Sequence, residues 1–295
     1  MSSPVPRRVS ATGSVSALRR YPVKSMLGED LQAVTLTASG LEGDRMVAVI
    51  DQKTGDVATA KHPQLWRGLL ALAAQWNGGA PRFTFPDGTS VAVGDTAGAE
   101  LLTRLLHRDV RLATVRPEGA QVARPAPEDV IEHGDDADVP YEKLEIGQGT
   151  PGTNFVDFAP VHLITSATLA HVGTEMIRYR PNLVLDIPGS EAFAENDWAG
   201  REISIGPVRL RVTIPTPRCA VPTLAHGALP RRAEAVRTLL AENRVAIPGF
   251  GVRPCLGAYA QVLEGGTVAV GDRAALLRSP ARDQRVASST SSSRC

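Results

Sequence analysis

Cysteine is scarce in this chain, with three residues at positions 219, 255 and 295. Three cysteines cannot build a disulfide framework, so a reducing compartment is the default and a cytoplasmic protein is expected. No apolar run approaches the roughly 18–20 residues needed to span a bilayer. The N-terminal MSSPVPRRVSATGS has basic residues but no apolar segment of the secretory kind. No membrane partner is therefore expected. An excess of either charge is missing too: 32 Lys and Arg face 31 Asp and Glu. That balance gives no electrostatic reason to expect nucleic acid as a partner. The common catalytic signatures are also absent. His62, His107, His133, His162, His171 and His226 show no zinc-ligand spacing, and neither CxxC nor HExxH occurs. There is no P-loop, no GxGxxG after a strand and no GxSxG elbow.

What is plentiful is glycine and proline, 27 and 22 of 295 residues, which points to many short elements joined by turns. Residues 1–13 and 279–295 are polar and aperiodic and read as disordered tails, the second carrying Cys295. Between them the patterning is mostly β, giving an α+β, mainly β, fold class. LQAVTLT at 31–37 alternates. Residues 45–51 and 56–60 flank QKTG, and RFTF and SVAV flank PDGT, as two hairpins. Asp95 is placed to cap a helix over 96–106, and VRLATV at 110–115 reads as a strand. Residues 117–152 hold Pro117, Pro125, Pro127 and Pro140 and an acidic stretch, with little periodicity. They read as a linker between a domain at 14–116 and one at 153–278. The second domain opens with a strand at 161–165, a helix at 167–178 and a strand at 182–187. A hairpin at 202–214, a helix over 229–243 and closing strands complete it. VAVGD occurs at 91–95 and again at 268–272, a hint of two similar barrels.

Chemistry has few places to reside. Cys219 sits in IPTPRCAVPT, a loop stiffened by Pro215, Pro217 and Pro222, beside Arg218. A neighbouring cation favours thiolate, the form that ligates soft metals. A lone cysteine equally serves as a small buried hydrophobe. Lys24 and Ser25 follow Tyr21-Pro22-Val23 at a strand end, where an amine and a hydroxyl can hold a phosphate. Arg45 in the Asp44-Arg45 pair, and Arg180 with Asn182, each put a guanidinium at the start of a strand. Taken singly, each is also an ordinary surface cation.

Taken in order, YPVKS (21–25), GLEGDRMVAVID (40–51), VATAKHPQL (57–65), LITSATL (163–169), RPNLVL (180–185), PRCAVPTLAHG (217–227) and LGAYAQVL with GTVAVGD (256–272) resemble the MOSC superfamily. The closest likeness is to its two-domain branch, which contains the mitochondrial amidoxime reducing component and its bacterial relatives. The resemblance implies an N-terminal MOSC-type β-barrel domain followed by a MOSC β-barrel domain with a few flanking helices. It implies a molybdenum–molybdopterin cofactor with Cys219 as the protein ligand to the metal and as the catalytic residue. Lys24, Ser25, Arg45, Thr165 or Ser166, Arg180, Asn182 and Arg218 would contact that cofactor. Pyridoxal phosphate binding is a further association at family level.

The implied activity is reduction of N-hydroxylated small molecules. Some bacterial relatives carry a C-terminal ferredoxin module where this chain has a Ser-rich stretch, so electrons are expected from a separate ferredoxin, cytochrome or flavoprotein. Thr165 and Ser166 stand where the mitochondrial relatives have the serine and glutamate of LSEAS. Two alternatives belong to other classes: a cofactor carrier without turnover, and a sulfur carrier using Cys219 as a persulfide site.

Overall fold

Alternating apolar residues in the second half of the chain, joined by one strand from its beginning, close into a seven-stranded barrel. The structure is a computed structural model and describes residues 9–277. The barrel strands, labelled in chain order, are β1 (Val9–Arg20), β2 (Val161–Thr165), β3 (Leu183–Asp186) and β4 (Glu202–Ile205). They continue with β5 (Val208–Pro217), β6 (Gly251–Glu264) and β7 (Arg273–Leu277). Around the ring the order is β2, β3, β1, β7, β4, β5, β6 and back to β2. Only the β2–β3 step is parallel. Closure leaves the ring no free edge. Inside it, Val15, Leu18, Leu163, Leu185, Ile205, Leu210 and Leu276 pack as one core.

The last step of the ring is tight. Leu163 of β2 opposes Ala258 of β6, and Gly257 beside it has φ +74°. A Cβ there would lie 2.4 Å from the Leu163 carbonyl oxygen, so only glycine lets the two backbones meet.

Val9–Gly13, expected within a tail, are the first residues of β1 and pair with β7 from Val9↔Leu277 to Gly13↔Ala274. The small polar side chains there carry little apolar signal; the partner strand supplies the order. Residues 1–8 and 278–295, including Cys295, lie outside the described residues.

From the end of β1 the chain leaves the barrel for a second core built of Val23, Met26, Val49, Leu69, Phe83 and Leu102. Short strands surround it. The PDGT hairpin forms as read, with Arg82–Thr84 against Ser90–Ala92. Asp95 caps the helix Thr96–Leu106 by accepting from the Ala97 N–H at 3.0 Å. The QKTG hairpin forms but is short: the Asp51 N–H donates to the Asp56 carbonyl at 3.0 Å and the Ala58 N–H to the Val49 carbonyl at 2.8 Å, around a single bridge from Ile50 to Val57. Ala48–Asp51 pairs along its whole length with Val110–Ala113. The β-branched pair Val49 and Ile50 lies in a strand that finds more partners on the distant strand than on its neighbour across the turn.

Residues 117–152 are not a bare linker. They contain the hairpin Gln121–Pro125 with Tyr141–Glu145 and the helix Pro127–His133. The helix expected at 167–178 ends at Val172, because Gly173 turns left-handed at φ +61° and a separate short turn follows at Met176–Arg178. The last helix starts late, at Glu234. The chain before it is held irregular by the buried Arg178, which donates to the Leu224 carbonyl at 2.9 Å and to the Pro230 carbonyl at 2.8 Å.

Candidate functional site

The residues that follow β1, Tyr21 to Ser25, drop into the junction between the two cores and meet the ends of β2, β3 and β5. Tyr21 is fully buried, and two guanidiniums stack on its ring, Arg180 at 4.2 Å and Arg45 at 4.8 Å from the centroid. Arg45 pairs with Asp44 and donates to Asn182 Oδ1 at 3.1 Å. Asn182 in turn accepts from the His162 backbone N–H at 3.1 Å and donates to the Arg19 carbonyl at 3.3 Å. One amide side chain thus stitches the N-terminal segment to the barrel.

Lys24 is buried and donates to the Phe155 carbonyl at 2.9 Å and to Asp157 Oδ1 at 2.6 Å. Burial lowers its pKa to about 8, with Asp157 opposing that shift. Lys61 reaches the same Asp157 oxygen at 2.9 Å. Burial alone would raise the Asp157 pKa, but the two ammonium groups outweigh it and hold the carboxyl well below the usual range. Ser25 Oγ accepts from the Ala60 N–H at 3.1 Å. Arg218 donates to the Tyr179 carbonyl at 2.9 Å, while its Nε is buried with no protein partner. Burial, and next the nearby Arg218, push the His162 pKa down to about 3, so its ring is neutral.

Three of these residues share a backbone peculiarity. Ser25, Arg45 and Arg180 have φ of 66°, 48° and 56°, the left-handed region that side chains with a Cβ avoid. Five non-glycine residues adopt it among the described residues, and three of the five line one cleft. Such conformations persist where the surroundings over-determine them, and they gather at ligand sites.

The cleft has two chambers. The narrower, about 70 Å³, is lined by Lys24, Ser25, Arg45, Lys61, Arg180, Asn182, Arg218 and Cys219, together with Asp157 and His162. The wider, about 400 Å³, is walled by Val122, Leu144, Ile146, Phe158 and Phe250, with Arg124 among its polar groups. Cys219, Arg218, Lys61, Asp157 and Tyr259 belong to both. Cys219, at 7 % exposure, therefore sits at the meeting point of a cationic chamber and a wider one whose lining mixes apolar and charged side chains. The thiol is less open than its proline-rich loop suggests, yet it is not closed away from the cations.

Thr165 and Ser166 lie elsewhere. Thr165 is fully buried and donates to Glu195 at 2.9 Å, and Ser166 donates to Asp186 at 2.6 Å. Neither lines the cleft. Lys61, Asp157, Arg124, His162 and Tyr259 do line it and were not singled out from sequence. Lys61 stands in VATAKHPQL, but Asp157 follows an aperiodic stretch that offers no cue.

The lining suits an anion. Five cations face one carboxylate in the narrow chamber, and the unpartnered Arg218 Nε points to a missing acceptor. Among the described residues no three His, Cys, Asp or Glu side chains gather to hold a metal ion. A metal at Cys219 would therefore take its remaining ligands from an organic chelate or solvent. The donor set fits a thiolate-bound soft metal carried on an anionic chelate. At about 70 Å³ the chamber admits a phosphate-sized group, so a larger chelate extends beyond it.

The sequence is similar to known proteins along most of its length. The MOSC N-terminal beta barrel domain matches residues 12–119, and the MOSC domain matches residues 151–275. The mitochondrial amidoxime reducing component 2 of Bos taurus is 28% identical over 306 residues, covering 90% of this chain and 84% of the relative. Component 1 of Homo sapiens is 24% identical over 306 residues, covering 92% and 85%. Component 2 of Rattus norvegicus is 31% identical over a shorter stretch of 129 residues, 40% of this chain and 37% of the relative. Among solved structures, the YUAD protein from Bacillus subtilis aligns over 90% of this chain and 95% of its own, at 11% identity and a TM-score of 0.38. No helix among the described residues is long and apolar enough to cross a membrane.

Proposed function

The chain belongs to the MOSC-domain family, and from that premise we propose that it binds a molybdenum–molybdopterin cofactor and reduces N-hydroxylated small molecules. Electrons come from a separate donor protein. One observation carries the reading: the single cleft cysteine, Cys219, stands where the cation-lined chamber opens into the wider one.

In this reading Cys219 gives its thiolate to the metal. Lys24, Arg45, Arg180 and Arg218 hold the anionic chelate, with Ser25 and Asn182 adding shorter polar contacts. Thr165 and Ser166, turned toward Glu195 and Asp186, stay outside the contact set. When bound, molybdenum supplies the two-electron chemistry. Cleaving an N–O bond to give an amine and water also consumes two protons. Lys24 Nζ, with a pKa near 8, can hold and exchange a proton in the narrow chamber. The apolar part of the wider chamber's wall, Val122, Leu144, Ile146, Phe158 and Phe250, packs against the substrate body.

Protein made in a host that synthesises the cofactor should contain molybdenum and pterin, and should reduce benzamidoxime with an artificial electron donor. Cys219→Ala should lose both the metal and at least about 100-fold of the activity, the upper range for disturbing a ligand shell. Undiminished turnover by Cys219→Ala would refute the proposal. Bound molybdenum without turnover under any donor would mark a carrier instead.

A further inference from the structure

Five arginines are less than a tenth exposed among the described residues: Arg19, Arg20, Arg124, Arg178 and Arg218. Three have a carboxylate partner. Arg19 pairs with Asp30, Arg20 with Glu29 at 2.8 Å, and Arg178 with Glu175 at 2.6 Å. Arg124 and Arg218 have none within ion-pair distance, and both line the wider chamber beside Cys219. Arg218 also lines the narrow chamber, so an anionic chelate there accounts for its charge. Arg124 does not line it.

Arg124 sits on the hairpin strand Gln121–Pro125, opposite Glu142. That cross-strand neighbour lies 3.6 Å from Arg253 instead. A single bond anchors the guanidinium, from Nη2 to the Arg218 carbonyl at 3.1 Å. Its other donors have no protein partner. A buried cation without a counter-ion is costly unless a ligand supplies one. The chamber it faces holds about 400 Å³, room for a ring-sized body; Phe158, Phe250 and aliphatic side chains form part of its wall, and Lys61, Glu142, Glu145 and Arg253 are among its charged groups.

We infer that Arg124 is the anion-recognition residue of the wider chamber, which takes small substrates that combine an apolar ring-sized body with a carboxylate. The inference rests on reading that chamber as the substrate site. A guanidinium presents paired N–H groups that match a carboxylate in two parallel bonds. The bond to Arg218 fixes that fork relative to the loop bearing Cys219.

The test is equilibrium binding, by calorimetry on the full chain, of benzoate and of benzamide, which share size and ring and differ in charge. The parent protein should bind benzoate at least about tenfold more tightly, the effect of about 1.4 kcal/mol, and raised salt should reduce the difference. Arg124→Gln should abolish the preference, and Arg124→Lys, which keeps the charge, should retain part of it. Equal binding of the two probes by the parent overturns the inference, and needs no variant to fold. A benzoate preference that survives in a folded Arg124→Gln overturns it equally. Because the readout is binding, absent reductase activity with intact benzoate preference would count against the proposed reaction and leave this assignment standing.

Discussion

Single residues in the cleft are held in states they would not choose alone. Ser25, Arg45 and Arg180 keep left-handed backbones, with Ser25 bonded to the Ala60 N–H and the two arginines held against Tyr21. Ser25→Gly should therefore leave stability within about 1 kcal/mol of the parent, since glycine takes that φ freely while losing one hydrogen bond. Ser25→Val should cost about 1–3 kcal/mol, and denaturant midpoints of the two variants check the contrast. His162 and His226 are held neutral by burial, with pKa values near 3 and 4 against an ordinary 6.5. Above pH 6.5 both are neutral in either state. As pH falls below it, the unfolded chain takes up protons that the folded protein refuses, so stability declines on acidification. The decline ends near pH 4 for His226 and near pH 3 for His162. Each histidine contributes a slope of up to about 1.4 kcal/mol per pH unit. Unfolding free energies measured between pH 7 and 5 should show it, and His226→Gln should flatten the curve in part, with His162 and His62, whose pKa burial also lowers, keeping the remainder.

Among the elements, the helix Thr96–Leu106 depends on its first residue boundary. Asp95→Ala removes the acceptor for the Ala97 N–H and should cost about 1 kcal/mol, without altering the cleft on the far side of the N-terminal core. An unchanged melting temperature would contradict this. The hairpin formed by 121–125 and 141–145 contributes Val122, Arg124, Glu142, Leu144 and Glu145 to the wider chamber. Filling that chamber with Leu144→Trp should lower kcat/KM for bulky N-hydroxylated substrates more than for the smallest one, hydroxylamine. Molybdenum content should be retained, since Leu144 does not line the narrow chamber. Equal loss for large and small substrates would assign the hairpin no part in selecting them.

At the scale of the whole molecule, the barrel and the N-terminal core are joined through β1 and through the polar contacts of Asn182. The Asn182 side chain satisfies the buried His162 N–H and the Arg45 guanidinium together. Asn182→Ala leaves donors on both sides of the junction without an acceptor, and each buried orphan costs about 1–3 kcal/mol. The expected result is a large drop in stability together with loss of molybdenum, read by thermal unfolding and elemental analysis. A variant with parental stability would show that the junction is held elsewhere. Gly257→Ala attacks the same scale at the barrel's closing step, because a Cβ there meets the Leu163 carbonyl and the His162 ring at 2.4 and 2.7 Å.

What the sequence by itself determined was local or ordered along the chain. Apolar patterning located the strand at 161–165 and the hairpin at 202–214, turn chemistry located the PDGT hairpin, and Asp95 located a helix start. Each rests on interactions among near neighbours. The order of short motifs also pointed to Lys24, Ser25, Arg45, Arg180, Asn182, Arg218 and Cys219, which do share one cleft. Only the tertiary structure decided the rest. It recruited Val9–Gly13 into the barrel, sent Ala48–Asp51 to a strand some sixty residues away, and turned Thr165 and Ser166 from the cleft. It also brought Lys61, Asp157 and Arg124 into it. Those outcomes depend on which distant group supplies a hydrogen-bond partner or a counter-charge. No local pattern encodes that choice, because it exists only once the barrel has closed.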